Sequence, residues 1–326
     1  DDGNGETYSF DPATAGAGVH TITYTFTDGS SCTNSAMDDV EVFALPTVSF
    51  TAPADLCVDA GVQTGLGGGT PMGGVYSGPG VTDDGNGETY SFDPSTAGAG
   101  VHTITYTYTD GNSCTNSAMD DVEVFALPTV SFTAPADLCV DAGVQSGLGG
   151  GTPMGGVYSG PGVTDDGNGE TYSFDPSAAG AGVHTITYTF TDGSSCTNSA
   201  MDDVEVFALP TYTVGGTDPS SCGGSDGSLT ISGLEANTNY ILSYEDDGTS
   251  VGPTNVTSNA SGEVSLTGLN AGSYTNIILE DGNGCSGTAV SATLSDPATP
   301  TVSFTAPADL CVDAGVQSGL GGGTPM

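Results

Sequence analysis

Oxygen-bearing side chains recur at close spacing in one short stretch, Asp83-Asp84-Gly85-Asn86-Gly87-Glu88. The stretch is written again at Asp165, Asp166, Asn168 and Glu170, and once more over residues 1–6. Carboxylates and a side-chain amide separated by glycines suit a hard cation such as calcium, which takes about six to eight oxygens from a compact loop. Calcium is therefore the one cofactor these residues suggest. Its expected ligands are Asp83, Asp84, Asn86 and Glu88 in one copy and Asp165, Asp166, Asn168 and Glu170 in the next. Asp120, Asp121 and Glu123 could contribute from a neighbouring strand end. The full D-x-D-x-D-G loop with a closing glutamate is absent, and Asp-Gly-Asn-Gly is equally a good hairpin turn. Both readings, calcium loop and plain turn, stand at this point.

The second chemistry is that of eight cysteines: Cys32, Cys57, Cys114, Cys139, Cys196, Cys222, Cys285 and Cys311. None has the C-x-x-C spacing of a zinc or redox site. An even set in a chain of secreted character implies disulfides and an oxidising compartment. Pairing inside each repeat gives Cys57–Cys114, Cys139–Cys196 and Cys222–Cys285, and leaves Cys32 and Cys311 in truncated repeats. Closing such a loop would stabilise a small domain by roughly 4 kcal/mol on the chain-entropy estimate. A competing pairing, Cys32 with Cys57, would staple neighbouring repeats together.

Other reactive types form no constellation. His20, His102 and His184 are copies of one strand position, and no positioned nucleophile accompanies them. Serine and threonine are too abundant for a Ser/His/Asp coincidence to carry information. The run GLGGGTPMGG (65–74) lacks the lysine of a phosphate loop and reads as a flexible connection. Asn255-Val-Thr and Asn259-Ala-Ser are formal glycosylation sequons, short enough to arise by chance. Catalysis is not expected.

Charge narrows the partners further. The chain has no lysine or arginine and a formal charge of −40. Nucleic acid is repelled, and anionic membrane surfaces are disfavoured for the same reason. Salt bridges to basic side chains cannot form, and neither can Lys–Asn isopeptide cross-links. A Thr–Gln ester would need Gln63, Gln145 or Gln317, and nothing in the sequence supports one. Cohesion must come from apolar burial, backbone ladders, hydroxyl hydrogen bonds and disulfides.

The elements that carry these residues follow a period. DDGNGETYSFDP begins at Asp1, Asp83 and Asp165, a spacing of 82 residues. Residues 45–126 and 127–208 are complete units that differ only at Thr64/Ser146, Thr96/Ala178, Tyr108/Phe190 and Asn112/Ser194. Residues 1–44 match the C-terminal part of a unit, 299–326 match the N-terminal part, and 209–298 form a different module. The two partial units together lack only GGVYSGPGVT, so one reading makes the sequence a single period of a longer array. In Val101–Thr109, Ile104, Tyr106 and Tyr108 alternate with a row of threonines, the pattern of a half-buried strand. TVSFT (47–51), LCV (56–58), GVY (74–76), TYSF (89–92) and DVEVFA (121–126) supply further strands, with turns at GPG and DDGNG. No segment carries helical periodicity. The fold class expected is all-β: a tandem array of Ig-like or PKD-like β-sandwich domains forming an extended rod or filament. Short Ala-Leu-Pro junctions would limit bending, and Phe125 beside one of them suits a contact between domains or an exposed aromatic.

The segment 265–297 resembles the SprB repeat of giant gliding adhesins of Bacteroidota, through Gly268-Leu-Asn-Ala-Gly-Ser-Tyr274 and Asp281-Gly-Asn-Gly-Cys285. The 82-residue unit is similar to PKD-like repeats of the same proteins through the string from Phe92 to Cys114. The resemblance implies a structural stalk or filament of a very large secreted adhesin on the bacterial cell surface. It further implies type IX secretion and a mobile filament for gliding motility. The expected partners are other copies or adjacent domains of the array, with surface glycans or the substratum, and without membrane insertion. The alternatives are a self-assembling extracellular fibre or sheath, and a glycan-binding surface module.

Overall fold

The computed structural model describes residues 1–306, 308, 316, 318 and 323–325. Cys311 and Gln317, and with them most of the partial unit 299–326, lie outside the described residues. The chain divides into two compact units, one of residues 1–131, 152–156 and 189–200 and one of residues 132–151, 157–188 and 201–326.

In residues 45–126 two sheets face each other. The larger is ordered Leu56–Cys57, Thr115–Phe125, Gly100–Thr109, Val75–Ser77; the smaller is ordered Gln63–Leu66, Tyr90–Phe92, Val81–Asp83. The long hairpin pairs Gly100 with Val124 through to Thr109 with Thr115 without a register shift. Its alternation works as the sequence suggests. Ile104, Tyr106, Val122 and Val124 point inward, and they meet Phe50, Tyr76, Tyr90 and Phe92 in a core rich in aromatic rings. Tyr76 stacks on Tyr90 with ring centroids 4.4 Å apart and leans on Tyr106 at 4.6 Å. Each buried ring removes a large apolar area from water, which a domain of this size needs. The fold is all-β, a series of β-sandwiches.

Three local expectations differ from what is observed. TVSFT forms no strand; only Ser49 bridges, to Thr70. The strand expected at 121–126 is longer and spans Thr115–Phe125. One helical turn, Pro94–Ala97, follows Asp93, whose carboxylate accepts from the Ser95 and Thr96 N–H groups. Asp-Pro at a cap and first helical position is a local start signal that needs no longer periodicity. The same turn occurs at Pro12–Ala15 and Pro176–Ala179.

The glycine run 65–74 is packed rather than free. A Cβ on Gly69 would lie 2.6 Å from the Tyr106 ring, and one on Gly74 would lie 2.4 Å from it. Glycine lets the backbone lie flat on that ring. Gly74 N–H donates to the Tyr106 hydroxyl at 2.8 Å, and that hydroxyl donates to the Pro71 carbonyl.

Residues 127–208 repeat both sheets strand for strand. In residues 1–44 the hairpin Gly18–Thr27 with Thr33–Val42 keeps its register. Tyr8 and Tyr24 are 61% and 58% exposed there, where Tyr90 and Tyr106 are fully buried. The module 209–298 is a second kind of sandwich. Its three-stranded sheet is Thr213–Thr217, Gly227–Ser232, Glu263–Leu269; its four-stranded sheet is Thr249–Thr257, Asn239–Asp246, Gly272–Glu280, Val290–Leu294. Leu229, Ile231, Tyr274, Ile277 and Leu279 form its buried centre. Among the described residues no helix is long and apolar enough to cross a membrane.

Candidate functional site

The acidic turn is built from its own hydrogen bonds. Asp83 accepts from the Tyr76 N–H at 2.7 Å and from the Gly85 N–H at 2.8 Å, one on each carboxylate oxygen. Asn86 Oδ1 accepts from the Glu88 and Thr89 N–H groups, both at 2.8 Å. Asp84 accepts from the hydroxyls of Thr89 and Ser91 at 2.6 and 3.3 Å. Asp165, Asp166 and Asn168 repeat these contacts, and the N–H of Glu170 donates as that of Glu88 does. Asp120 accepts from the Ala52 N–H and Asp121 from the Thr103 hydroxyl, so each ties a strand edge instead of reaching the turn. Calcium needs a convergent shell of oxygens. The side-chain oxygens of Asp83, Asp84 and Asn86 accept from donors in and beside the turn. Through the Asp83 carboxylate the turn locks Tyr76 into the core.

The histidines are structural. His102 Nε2–H donates to the Gly98 carbonyl at 2.7 Å, closing the loop after the helical turn, and His184 and His20 do the same with Gly180 and Gly16. Asp93 and Asp175 cap their turns, and hydroxyl and backbone donors hold their carboxyls below the usual carboxylate range. Burial pushes the Tyr90 and Tyr172 hydroxyls up to about 12, and the neighbouring tyrosine adds to it.

The cysteines occupy opposite ends of each sandwich. Leu56–Cys57 runs parallel to the end of the long strand, Cys57 opposite Phe125, at the pole where the chain leaves the repeat. Cys114 precedes Thr115 at the other end of that strand. There Asn116 donates to the Pro46 carbonyl, at the pole where the chain comes in. An eleven-residue strand lies between, on the order of 35 Å at the usual rise. A disulfide needs Cα atoms within about 7 Å, so Cys57–Cys114 cannot form. The same geometry excludes Cys139–Cys196. In the third module Cys222 lies beside Pro297, beyond the far end of the last strand from Cys285, so the Cys222–Cys285 pairing fails as well.

The bonds observed are Cys57–Cys196 and Cys139–Cys285, both with Cα atoms 5.6 Å apart. Each joins the C-terminal pole of one module to the N-terminal pole of the next. The stapling of neighbours is thus real, but it runs forward from Cys57 and not back to Cys32. The partner cysteine always sits in the same turn. The N–H groups of Cys114, Cys196 and Cys285 each donate to an aspartate four residues earlier, Asp110, Asp192 and Asp281, at 2.9 Å. The sequence carried that Asp-x-x-x-Cys signal, but not the direction of the short Leu56–Cys57 strand.

No protein-family model matches the chain, so the likeness of residues 265–297 to the SprB repeat rests on its motifs alone. No curated protein matches it. Among solved structures, the chain is similar to a Ca2+-stabilized adhesin that helps an Antarctic bacterium reach out and bind ice, at 18% identity and a TM-score of 0.30, covering 87% of this chain and 82% of that one. It is also similar to a tetra-tandem repeat from the extending region of a large adhesion protein, at 18% identity and a TM-score of 0.31, covering 86% and 82%. A third likeness is to immunoglobulin domains 1–4 of Sidekick-1, at 12% identity and a TM-score of 0.26, covering 81% and 79%.

Proposed function

We propose that this chain is the repeat region of a large extracellular adhesin on a bacterial cell surface, whose task is to carry a binding end away from the cell. The observation behind this reading is the covalent joining of successive sandwiches by Cys57–Cys196 and Cys139–Cys285. Such bonds do nothing for a catalyst, but they keep tandem modules together under load. The polar side chains are used on caps and turns, and the uniform negative charge keeps modules soluble and apart. Both disulfides require an oxidising compartment, which supports a place outside the cytoplasm.

The finer reading is a SprB-type adhesin exported by type IX secretion and used in gliding. The motifs Gly268–Tyr274 and Asp281–Cys285 support it. Its partners are the adjacent modules of the array and a glycan or substratum held at the binding end.

An in-frame deletion of residues 45–208 from the protein on its own cells tests this. The shortened protein is expected to remain displayed, with attachment and gliding reduced because reach is lost. Normal attachment and gliding by cells that still display the shortened protein would overturn the proposal.

A further inference from the structure

The two disulfides follow one rule, and three described cysteines stand at positions where the rule is unfulfilled. Cys57 and Cys139 are at C-terminal poles, beside Phe125 and Phe207 at the ends of their long strands. Cys196 and Cys285 are at N-terminal poles, each in an Asp-x-x-x-Cys turn. Both bonds join a C-terminal pole to the N-terminal pole of the module that follows.

Among the described residues Cys32, Cys114 and Cys222 have no disulfide partner; Cys32 and Cys222 are exposed and Cys114 is half-buried. Cys114 is the repeat equivalent of the bonded Cys196. Its N–H bonds to Asp110 as that of Cys196 does to Asp192, and Asn116 reaches Pro46 as Asn198 reaches Pro128. Cys32 occupies the same turn, bonded to Asp28. Cys222 is a C-terminal-pole cysteine: its Sγ contacts the Pro297 carbonyl at 3.4 Å, and Gly223 N–H donates to Asp296, beyond the last strand of its module. Cys32 and Cys114 therefore sit in the turn that the structure shows bonded elsewhere, and Cys222 sits at the pole where Cys57 and Cys139 are bonded, in an exposed turn rather than in a strand.

We propose that Cys32, Cys114 and Cys222 are disulfide cross-linking sites of fixed polarity. Cys222 takes an N-terminal-pole cysteine of another module, and Cys32 and Cys114 each take a C-terminal-pole cysteine. The inference rests on pole geometry alone and stands apart from the adhesin reading. The oxidant is a disulfide, small or protein-borne. One thiolate attacks it, forming a mixed disulfide and releasing one thiolate. The second cysteine thiolate then attacks the protein sulfur of that mixed disulfide and releases the other. Two protein thiols lose two electrons and two protons, and the oxidant becomes two thiols. The partner module belongs either to the same polypeptide or to a second copy, and its chemistry is the same in both.

The test is differential alkylation of the protein as isolated from its own cells, blocked with one alkylating reagent, then reduced and labelled with a second. With no lysine or arginine to cut at, a Glu-specific protease serves; it places Cys32 in fragment 7–41, Cys114 in 89–123 and Cys222 in 206–235. The expected result is that all three cysteines carry only the second label. In the unreduced digest each fragment is then linked to one bearing a cysteine of the opposite pole. First-label alkylation, an adduct with a small thiol, or a link between same-pole cysteines such as Cys222 with Cys222 would overturn the proposal. Electrophoresis of the intact protein with and without reductant separates the sources: a second copy doubles the mass, while a cross-link within one polypeptide leaves it unchanged.

Discussion

Cys57 is bonded to Cys196 at a sequence separation of 139 and across a repeat boundary, whereas Cys114, in its own repeat, lies at the far end of the strand it neighbours. A Glu-specific digest without reductant is expected to give fragment 42–88 linked to 171–205 and fragment 124–170 linked to the fragment that begins at Asp281, the near-identical copies being told apart by Thr64/Ser146 and Asn112/Ser194. Cys196→Ser should free Cys57 and leave each sandwich folded, because neither core contains the bond. Unfolding of the joined modules should lose roughly 5 kcal/mol of chain-entropy stabilisation. A fragment 42–88 linked to 89–123 would contradict the staple.

The sandwich class was legible because its signals are local: alternation in Val101–Thr109, turns at GPG and DDGNG, and an identical unit written twice. The pairing of cysteines was not. Most of Thr115–Phe125 is hydrophilic, with two consecutive aspartates, Asp120 and Asp121, between Met119 and Val122, so its first half carries no apolar alternation to mark its length. The direction of Leu56–Cys57, parallel to its neighbour, is set by long-range pairing with no sequence signature. The glycine run was misread for a similar reason, since the ring it covers, Tyr106, lies more than thirty residues on.

Gly69→Ala should destabilise its repeat by about 1–3 kcal/mol, since the added methyl would enter the Tyr106 ring and a packed core yields little room. Gly111→Ala, where nothing lies within 4 Å of the new methyl, is the matched control and should leave the melting temperature nearly unchanged. Equal effects in thermal denaturation would show that the run is not packed against that ring.

Two buried tyrosines should respond oppositely to loss of the hydroxyl. The Tyr90 hydroxyl is buried without a hydrogen-bond partner among the described residues, so Tyr90→Phe removes an uncompensated polar group and should be neutral or stabilising. Tyr106→Phe strands the Gly74 N–H and the Pro71 carbonyl and should cost about 1–3 kcal/mol. Denaturant titration of both variants decides it, and a destabilised Tyr90→Phe would reveal a partner for that hydroxyl.

Alkaline pH should unfold the sandwiches through the same residues. An unfolded tyrosine ionises near pH 10, whereas burial pushes Tyr90 and Tyr172 to about 12. Between those values the unfolded chain releases protons that the folded chain keeps, so stability is full below about pH 10 and falls as pH rises toward 12. Melting temperature followed across that window, with tyrosinate absorbance as a second readout, should show the loss. Tyr90→Phe with Tyr172→Phe should delay it.

Salt, rather than calcium, should govern stability at neutral pH. A charge of −40 with no basic side chain repels itself, and simple electrolyte screens that repulsion over about 10 Å at 0.1 M. In the acidic turns Asp83 and Asn86 already accept backbone N–H groups, which holds the turn without an ion. Sodium chloride is therefore expected to raise the melting temperature, and calcium chloride at matched ionic strength to raise it no further. EDTA should change nothing. A calcium increment that saturates, survives ionic-strength matching and is removed by EDTA would show that the turn opens to hold the ion, with Asp83 releasing Tyr76 to do so. Asp83→Asn would then weaken calcium binding, whereas in a plain turn it should alter only the anchoring of Tyr76.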